Sequence, residues 1–229
     1  MKVKAAKMLI WAGLGLIFAS LASGVSVNWL VYSISVTVLL VALMFLDFEE
    51  RHADPRTIAL TAALVALTVA SRQLLHGIEF SPVFFIVILS GYVFGASVGF
   101  TVGALSMFTS NFFLGQGPWT PFQMFGLGCV GGLCAFAPKP GRHEVLVLMI
   151  YGVASAYLYG MLTDIFSWMV FVPAHNMGSF IGMLLSGMLA NTMRAVGNIF
   201  FMATMGEPLL KVLRRFRRRL TYERVNGIP

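Results

Sequence analysis

The segment 110–124, SNFFLGQGPWTPFQM, sets Asn111, Gln116, Thr120 and Gln123 among Trp119 and Phe122. Amides and a hydroxyl offer hydrogen bonds without charge, and the aromatic faces offer flat apolar contact. Pro118 and Pro121 restrict the backbone beside two glycines, so the loop 115–121 reads as rigid and non-helical. This make-up suits a neutral or zwitterionic organic ligand with flat groups. An interfacial aromatic belt with a tight turn would account for Trp119, but it does not call for so many amides. Arg72, His76, Glu79, Asp164, His175 and Asn176 form a second polar set, inside or beside apolar stretches. Ionisable groups at such positions are costly and mark functional sites by default. The plainer alternative is that each side chain reaches out to water.

Patterns for other chemistries are missing. The four histidines, His52, His76, His143 and His175, make no His-x-x-x-His pair. The sequence holds no paired carboxylates, no glycine-rich phosphate loop with its lysine and no nucleophile elbow. It therefore predicts a chain that is not an enzyme, with no catalytic residues, metal ligands or cofactor of its own. Cys129 and Cys134 are spaced to point to different faces of a helix, and read as small packing residues.

The elements that must position these groups are apolar helices. Of 229 residues, 58% are hydrophobic and only 11% charged. A soluble domain carries about 25% charge, whereas a lipid-facing surface needs little. Apolar stretches cover residues 8–24, 28–46, 57–74, 83–94, 96–113, 122–137, 145–170 and 178–205. A span takes roughly 20 apolar residues, so the expectation is an all-α integral membrane protein of about eight spans. The stretch 83–94 is short for a straight crossing, and Gly95 and Gly99 allow a tight reversal after it. The first stretch has some features of a signal peptide, but reads as a retained span.

Lysine and arginine set the orientation. With eight spans, Lys2, Lys4, Lys7, Arg51, Arg56, Lys139, Arg142 and the run 211–224 all fall on one side. Only Arg72 and Arg194 are exceptions. Both termini are then cytoplasmic in a multi-pass protein of a bacterial plasma membrane. The run 211–219 reads as an anchor against anionic headgroups, not as a nucleic-acid site, because the interleaved aromatics and folded module for that are lacking. Domain boundaries follow: a transmembrane hairpin over 1–50, a six-helix membrane core over 51–210 and a basic cytoplasmic tail over 211–229.

Depth along each helix groups the polar set. Asp164 lies roughly 28 Å from the inner end of its span, and Arg72 is also near the outer surface. Arg72, His76, Glu79, Asp164 and His175 are thus expected at one external mouth. Arg194, counted inward from residue 178, falls nearer the cytoplasm, too deep to pair with Asp164 and free to snorkel or cap a helix. Two stripes of small residues recur at helical spacing: Ala59–Ala63 with Ala62–Ala66–Ala70, and Gly95–Gly99–Gly103. Such stripes let helices approach closely in lipid. The glycines read as internal packing; the alanines suit either packing or a partner.

Three of these features together resemble the substrate-binding S component of the energy-coupling factor (ECF) vitamin transporters. They are the Ala-rich span 57–74, the helix-turn-helix sequence FGASVGFTVGALSMFTSNFF and the loop GQGPWTPFQM. The resemblance covers residues 56–211. It implies a six-helix core, to which this chain adds the hairpin 8–46. It also implies a vitamin pocket built from 72–82, 111–123 and 164–176, with Arg72, His76, Glu79, Asn111, Gln116, Trp119, Thr120, Gln123, Asp164, His175 and Asn176 as contributors. Ala59, Ala62, Ala63, Ala66 and Ala70 would dock on a transmembrane coupling protein, the T component, which sits on two cytoplasmic ATPases. ATP and magnesium would be bound by those partners. The loop is similar to that of members assigned to cobalamin or its precursors, which makes cobalamin the expected ligand. A different small vitamin, a membrane enzyme acting on lipids, or a scaffold protein are the other readings. The enzyme would need paired acidic or histidine residues at one depth, and the scaffold would bind no small molecule.

Overall fold

A computed structural model of the chain describes residues 2–22, 28–50, 54–75, 77–139 and 141–226. Arg51, His52 and His76 lie outside the described residues. Eight α-helices follow in the order α1 (Lys2–Ala22), α2 (Trp29–Glu50), α3 (Pro55–Leu74), α4 (Val83–Phe94), α5 (Ala96–Leu114), α6 (Thr120–Cys134), α7 (Glu144–Phe171) and α8 (Met177–Asn226). Each coincides with one of the apolar stretches. A single 3-10 turn, Gly141–His143, leads into α7. Among the described residues, three segments are long and apolar enough to cross a membrane: Pro55–Leu74, Ala96–Leu114 and Gly141–Phe171. Val83–Phe94 is apolar but shorter.

Local chemistry explains several of the boundaries. Asp54 caps α3, its carboxylate accepting from the Arg56 amide at 2.9 Å, with Pro55 in the first turn. Between α4 and α5 the chain turns on Gly95 alone, at φ 97°. A side chain at that dihedral would be strained, so the glycine permits the one-residue joint. Gly115 ends α5 in the same way at φ 105°.

The centre of the bundle is α4, α5 and α6. Every residue from Val83 to Val93 is buried. At Gly91, Gly99 and Gly131 the three helices meet backbone to backbone. A Cβ at Gly91 would lie 1.8 Å from the Gly131 carbonyl oxygen, and one at Gly131 would lie 2.2 Å from that of Gly99. At Gly103 a Cβ would come within 2.3 Å of the Leu127 oxygen. Gly99 and Gly103 are therefore internal packing positions, as their spacing predicts, whereas Gly95 serves the turn.

α3 lies on the outside of this core. Thr61, Leu64, Val65, Thr68 and Val69 face inward, while Ala59, Ala62, Ala63, Ala66 and Ala70 are all exposed. α7 and α8 pair antiparallel through small-to-polar contacts: Gly152 with Asn198, Gly160 with Asn191, and Gly187 with Asp164. Asn198 Nδ2 donates to the Gly152 oxygen at 2.9 Å. In lipid, glycine permits this approach and the amide holds it.

The hairpin α1–α2 packs on α5 and α6. Tyr32 stacks on Phe122, Trp29 meets Phe166 edge-on, and Ser33 Oγ donates to the Gly117 oxygen at 3.0 Å. At the other end Lys7 Nζ reaches Asp47 at 2.9 Å and Glu50 at 2.5 Å, and Asp47 accepts from Ser97.

The basic run 211–219, expected as an anchor, is part of α8. α8 continues through Pro208 and the arginines to Asn226 as one helix. Lys211 pairs with Glu207 one turn earlier at 2.7 Å, and Arg214 Nη2 bonds both oxygens of Glu144 at 2.7 Å. Buried Leu210 and Leu213 hold the same turns against the bundle. These contacts favour helix beyond the last apolar residue.

Candidate functional site

α3 carries Arg72 in its last turn, beside the end of α5. Its Nη1 donates to Asn111 Oδ1 at 2.8 Å and also to Ser110 Oγ. The neighbouring Gln73 Nε2 donates to the Ser110 carbonyl oxygen at 3.1 Å. Asn111 passes the order on. Its Nδ2 donates to Gln123 Oε1 at 2.8 Å and to Thr120 Oγ1 at 3.1 Å. Thr120 Oγ1 in turn donates to Gln116 Oε1 at 2.8 Å, and Gln116 Nε2 donates to the Phe108 oxygen at 3.0 Å. Ser110, Asn111 and Thr120 are all but inaccessible to solvent, at 0%, 1% and 2%. A fully bonded buried network of this kind rigidifies its members. It joins the end of α3, the end of α5 and the start of α6.

Above this network is a polar cavity of about 110 Å³ that opens to solvent. Arg72, Glu79, Gln123, Tyr159 and Arg194 supply its polar and aromatic wall, and Phe84 and Met107 are among its apolar lining. Glu79 sits at φ 57°, the left-handed region that a non-glycine residue rarely adopts. Its Oε2 accepts from Arg194 Nε at 2.8 Å. Arg194 Nη1 also donates to Asn191 Oδ1 at 2.6 Å, and its guanidinium lies over the Tyr159 ring at 5.5 Å. The larger cavities, of about 620, 400 and 320 Å³, are apolar clefts between the hairpin and the core.

Arg194 is the main correction to the sequence reading. It stands at the mouth, paired with Glu79. Counting inward from residue 178 placed it too deep because the first turns of α8 pair with α7 beyond the mouth. The same geometry removes three expected contributors from the cavity wall. α7 runs from Tyr159, at the cavity, a further ~18 Å to Phe171. Asp164 lies on this extension, and His175 and Asn176 follow it in the turn to α8. Asp164 packs against Gly187, with its Oδ2 buried and without a hydrogen-bond partner among the described residues. His175 meets Trp168 edge-on at 4.9 Å. Asn176 Oδ1 accepts from the Ser179 amide at 2.9 Å, at the start of α8.

Trp119 also lies off the cavity wall, its ring folded over Gly117 and 6.5 Å from Phe171. Gln116 and Thr120 act through the network and do not line the cavity. The sequence reading missed Ser110, Tyr159 and Arg194. An arginine within an apolar stretch was itself the signal for the last.

A family model for the ECF-type riboflavin transporter S component matches residues 53–215. The chain belongs to this family. No curated protein and no solved structure matches it. As an S component it is the substrate-binding membrane subunit of a vitamin transporter and not itself an enzyme. S components work with a T component and ATPases. The match contains the whole Arg72–Asn111–Gln123 network and the cavity, and it leaves residues 1–52 outside. It gives no support to the cobalamin assignment drawn from the loop.

Proposed function

We propose that this S component captures riboflavin or a vitamin of similar size at its outer face. ATP-driven partners then move it inward. The observation that carries the reading is the rigid Arg72–Asn111–Gln123 network beneath the one strongly polar cavity described, inside the stretch the family model matches. The cavity itself measures about 110 Å³, below the roughly 300–1,000 Å³ usual for sites that enclose a small organic ligand, so a ligand seated here extends into the open mouth. A corrinoid with its amide arms calls for a wider opening. Both termini lie in the cytoplasm on this reading, and the bundle crosses the membrane eight times.

Titration of the purified full chain in detergent with riboflavin, followed by quenching of flavin fluorescence, tests the substrate. Saturable submicromolar binding that excess cobalamin does not displace is expected. Tight cobalamin binding with none of riboflavin reverses the substrate choice. No affinity for any vitamin returns the chain to the scaffold reading.

The exposed alanines of α3 are the proposed contact with the T component, because a row of small side chains on the outermost helix admits another helix at short range. Ala66→Leu should cut recovery of the T component in co-purification by about tenfold, a loss of about 1.4 kcal/mol. Ligand binding by the isolated S component should stay unchanged. Normal assembly of the Ala66→Leu and Ala63→Leu proteins would assign docking to another face.

A further inference from the structure

We infer that the cavity is built for a ligand that presents an anionic oxygen group, a carboxylate or a phosphate, to Arg72. This rests on the reading of the cavity as the vitamin site.

Arg72 has only neutral hydrogen-bond partners among the described residues: the Ser110 hydroxyl and the Asn111 amide oxygen. No carboxylate there lies within ion-pair distance of it. Glu79, the one carboxylate on the described wall, is already committed to Arg194 at 2.8 Å. The wall therefore carries two guanidiniums and one carboxylate, a net formal charge of +1. A partly buried cation left without a counter-charge is unfavourable unless something supplies one.

The surroundings fit that role. One Arg72 nitrogen, Nη1, carries both protein contacts, which leaves Nη2 and Nε of a planar donor fork for a ligand. Such forks suit carboxylate and phosphate oxygens. The Asn111 contact, itself fixed by Gln123 and Thr120, prevents the guanidinium from swinging out to water.

Matched pairs of probes differing only in the anionic group separate the cases. Riboflavin 5′-phosphate against riboflavin tests a phosphate; biotin against biotin amide, and pantothenate against pantothenol, test a carboxylate. In calorimetric titrations of the full chain in detergent, the anionic member of at least one pair should bind roughly tenfold to a hundredfold more tightly, as charge-assisted hydrogen bonds do.

Arg72→Gln should erase that preference, and Arg72→Lys should keep part of it. Glu79→Gln should increase it, an outcome that misfolding cannot imitate and that holds even if Arg72→Gln fails to fold. Equal or tighter binding of the neutral member in every pair overturns the inference, while tight riboflavin binding in the same series leaves the proposed function standing. Absence of binding by every probe overturns both.

Discussion

Gly131→Val should leave little folded protein to recover. At this position α6 has no room for a side chain. A Cβ would lie 2.2 Å from the Gly99 oxygen and 2.5 Å from its carbonyl carbon, both backbone atoms of α5. Rotating a neighbouring side chain relieves nothing, so the helices themselves must separate. The same Cβ would lie 2.9 Å from Val87 Cγ1, which brings α4 into the conflict. Overpacking a core ordinarily costs about 1–3 kcal/mol because side chains can adjust. Here backbone must move, and proteins hold only about 5–15 kcal/mol in total. Gel filtration should show aggregate in place of the monodisperse peak. Gly15→Ala is the control, since a Cβ at Gly15 meets nothing within 4 Å. A Gly131→Val protein that elutes and melts like the parent would refute the three-helix backbone contact.

Asn111→Ala should weaken vitamin binding by about thirtyfold to a hundredfold and destabilise the chain by about 2 kcal/mol. One small side chain joins three elements here. Its oxygen accepts from Arg72, and its nitrogen donates to Gln123 and Thr120. Truncation leaves the Gln123 oxygen without its donor and frees Arg72 to swing. Each buried group left unsatisfied costs about 1–3 kcal/mol. Asn111→Asp tests the same site from the other direction. It keeps the shape but places a carboxylate against Arg72, so it should hold the fold and lose affinity for anionic ligands first. Ligand titration beside thermal unfolding separates the two effects. Wild-type affinity in Asn111→Ala would mean that the network does not support the cavity.

Much of this molecule can be read along the chain, and the exceptions share one cause. Apolar runs bounded by Gly, Pro and charge marked all eight helices; the small-residue spacing marked close-approach faces at Gly99 and Gly103 and at Ala59, Ala63 and Ala66, but the same period serves a buried and an exposed stripe, so it left the alanine face open. Asn111, Gln116, Thr120 and Gln123 were legible as a set because they are close in sequence, whereas Arg72, read with a second polar set, joins them only through the fold. Arg194, Asp164, His175 and Asn176 were misplaced because sequence measures depth only from where a helix begins. α7 and α8 extend past the mouth, and nothing in their composition says by how much. Tyr159 was hidden for a related reason. It reads as one aromatic among many until the Gly160–Asn191 contact shows which turn of α8 it faces. The apolar run shows where a span ends and not where its helix ends: α8 continues through the basic run, where charge paired with Glu144 and Glu207 is compatible with helix.

α3 carries Arg72 at one end and the bare alanine strip along its side. It is a single rod of about 30 Å. A partner leaning on that strip cannot tilt the helix without moving the Arg72 fork. A tilt of about 5° about the far end displaces the near end by about 2.6 Å, close to the whole length of a hydrogen bond. On the proposed function, grip on the cargo and contact with the T component would be transmitted by one stiff lever arm, with no relay of loops between them.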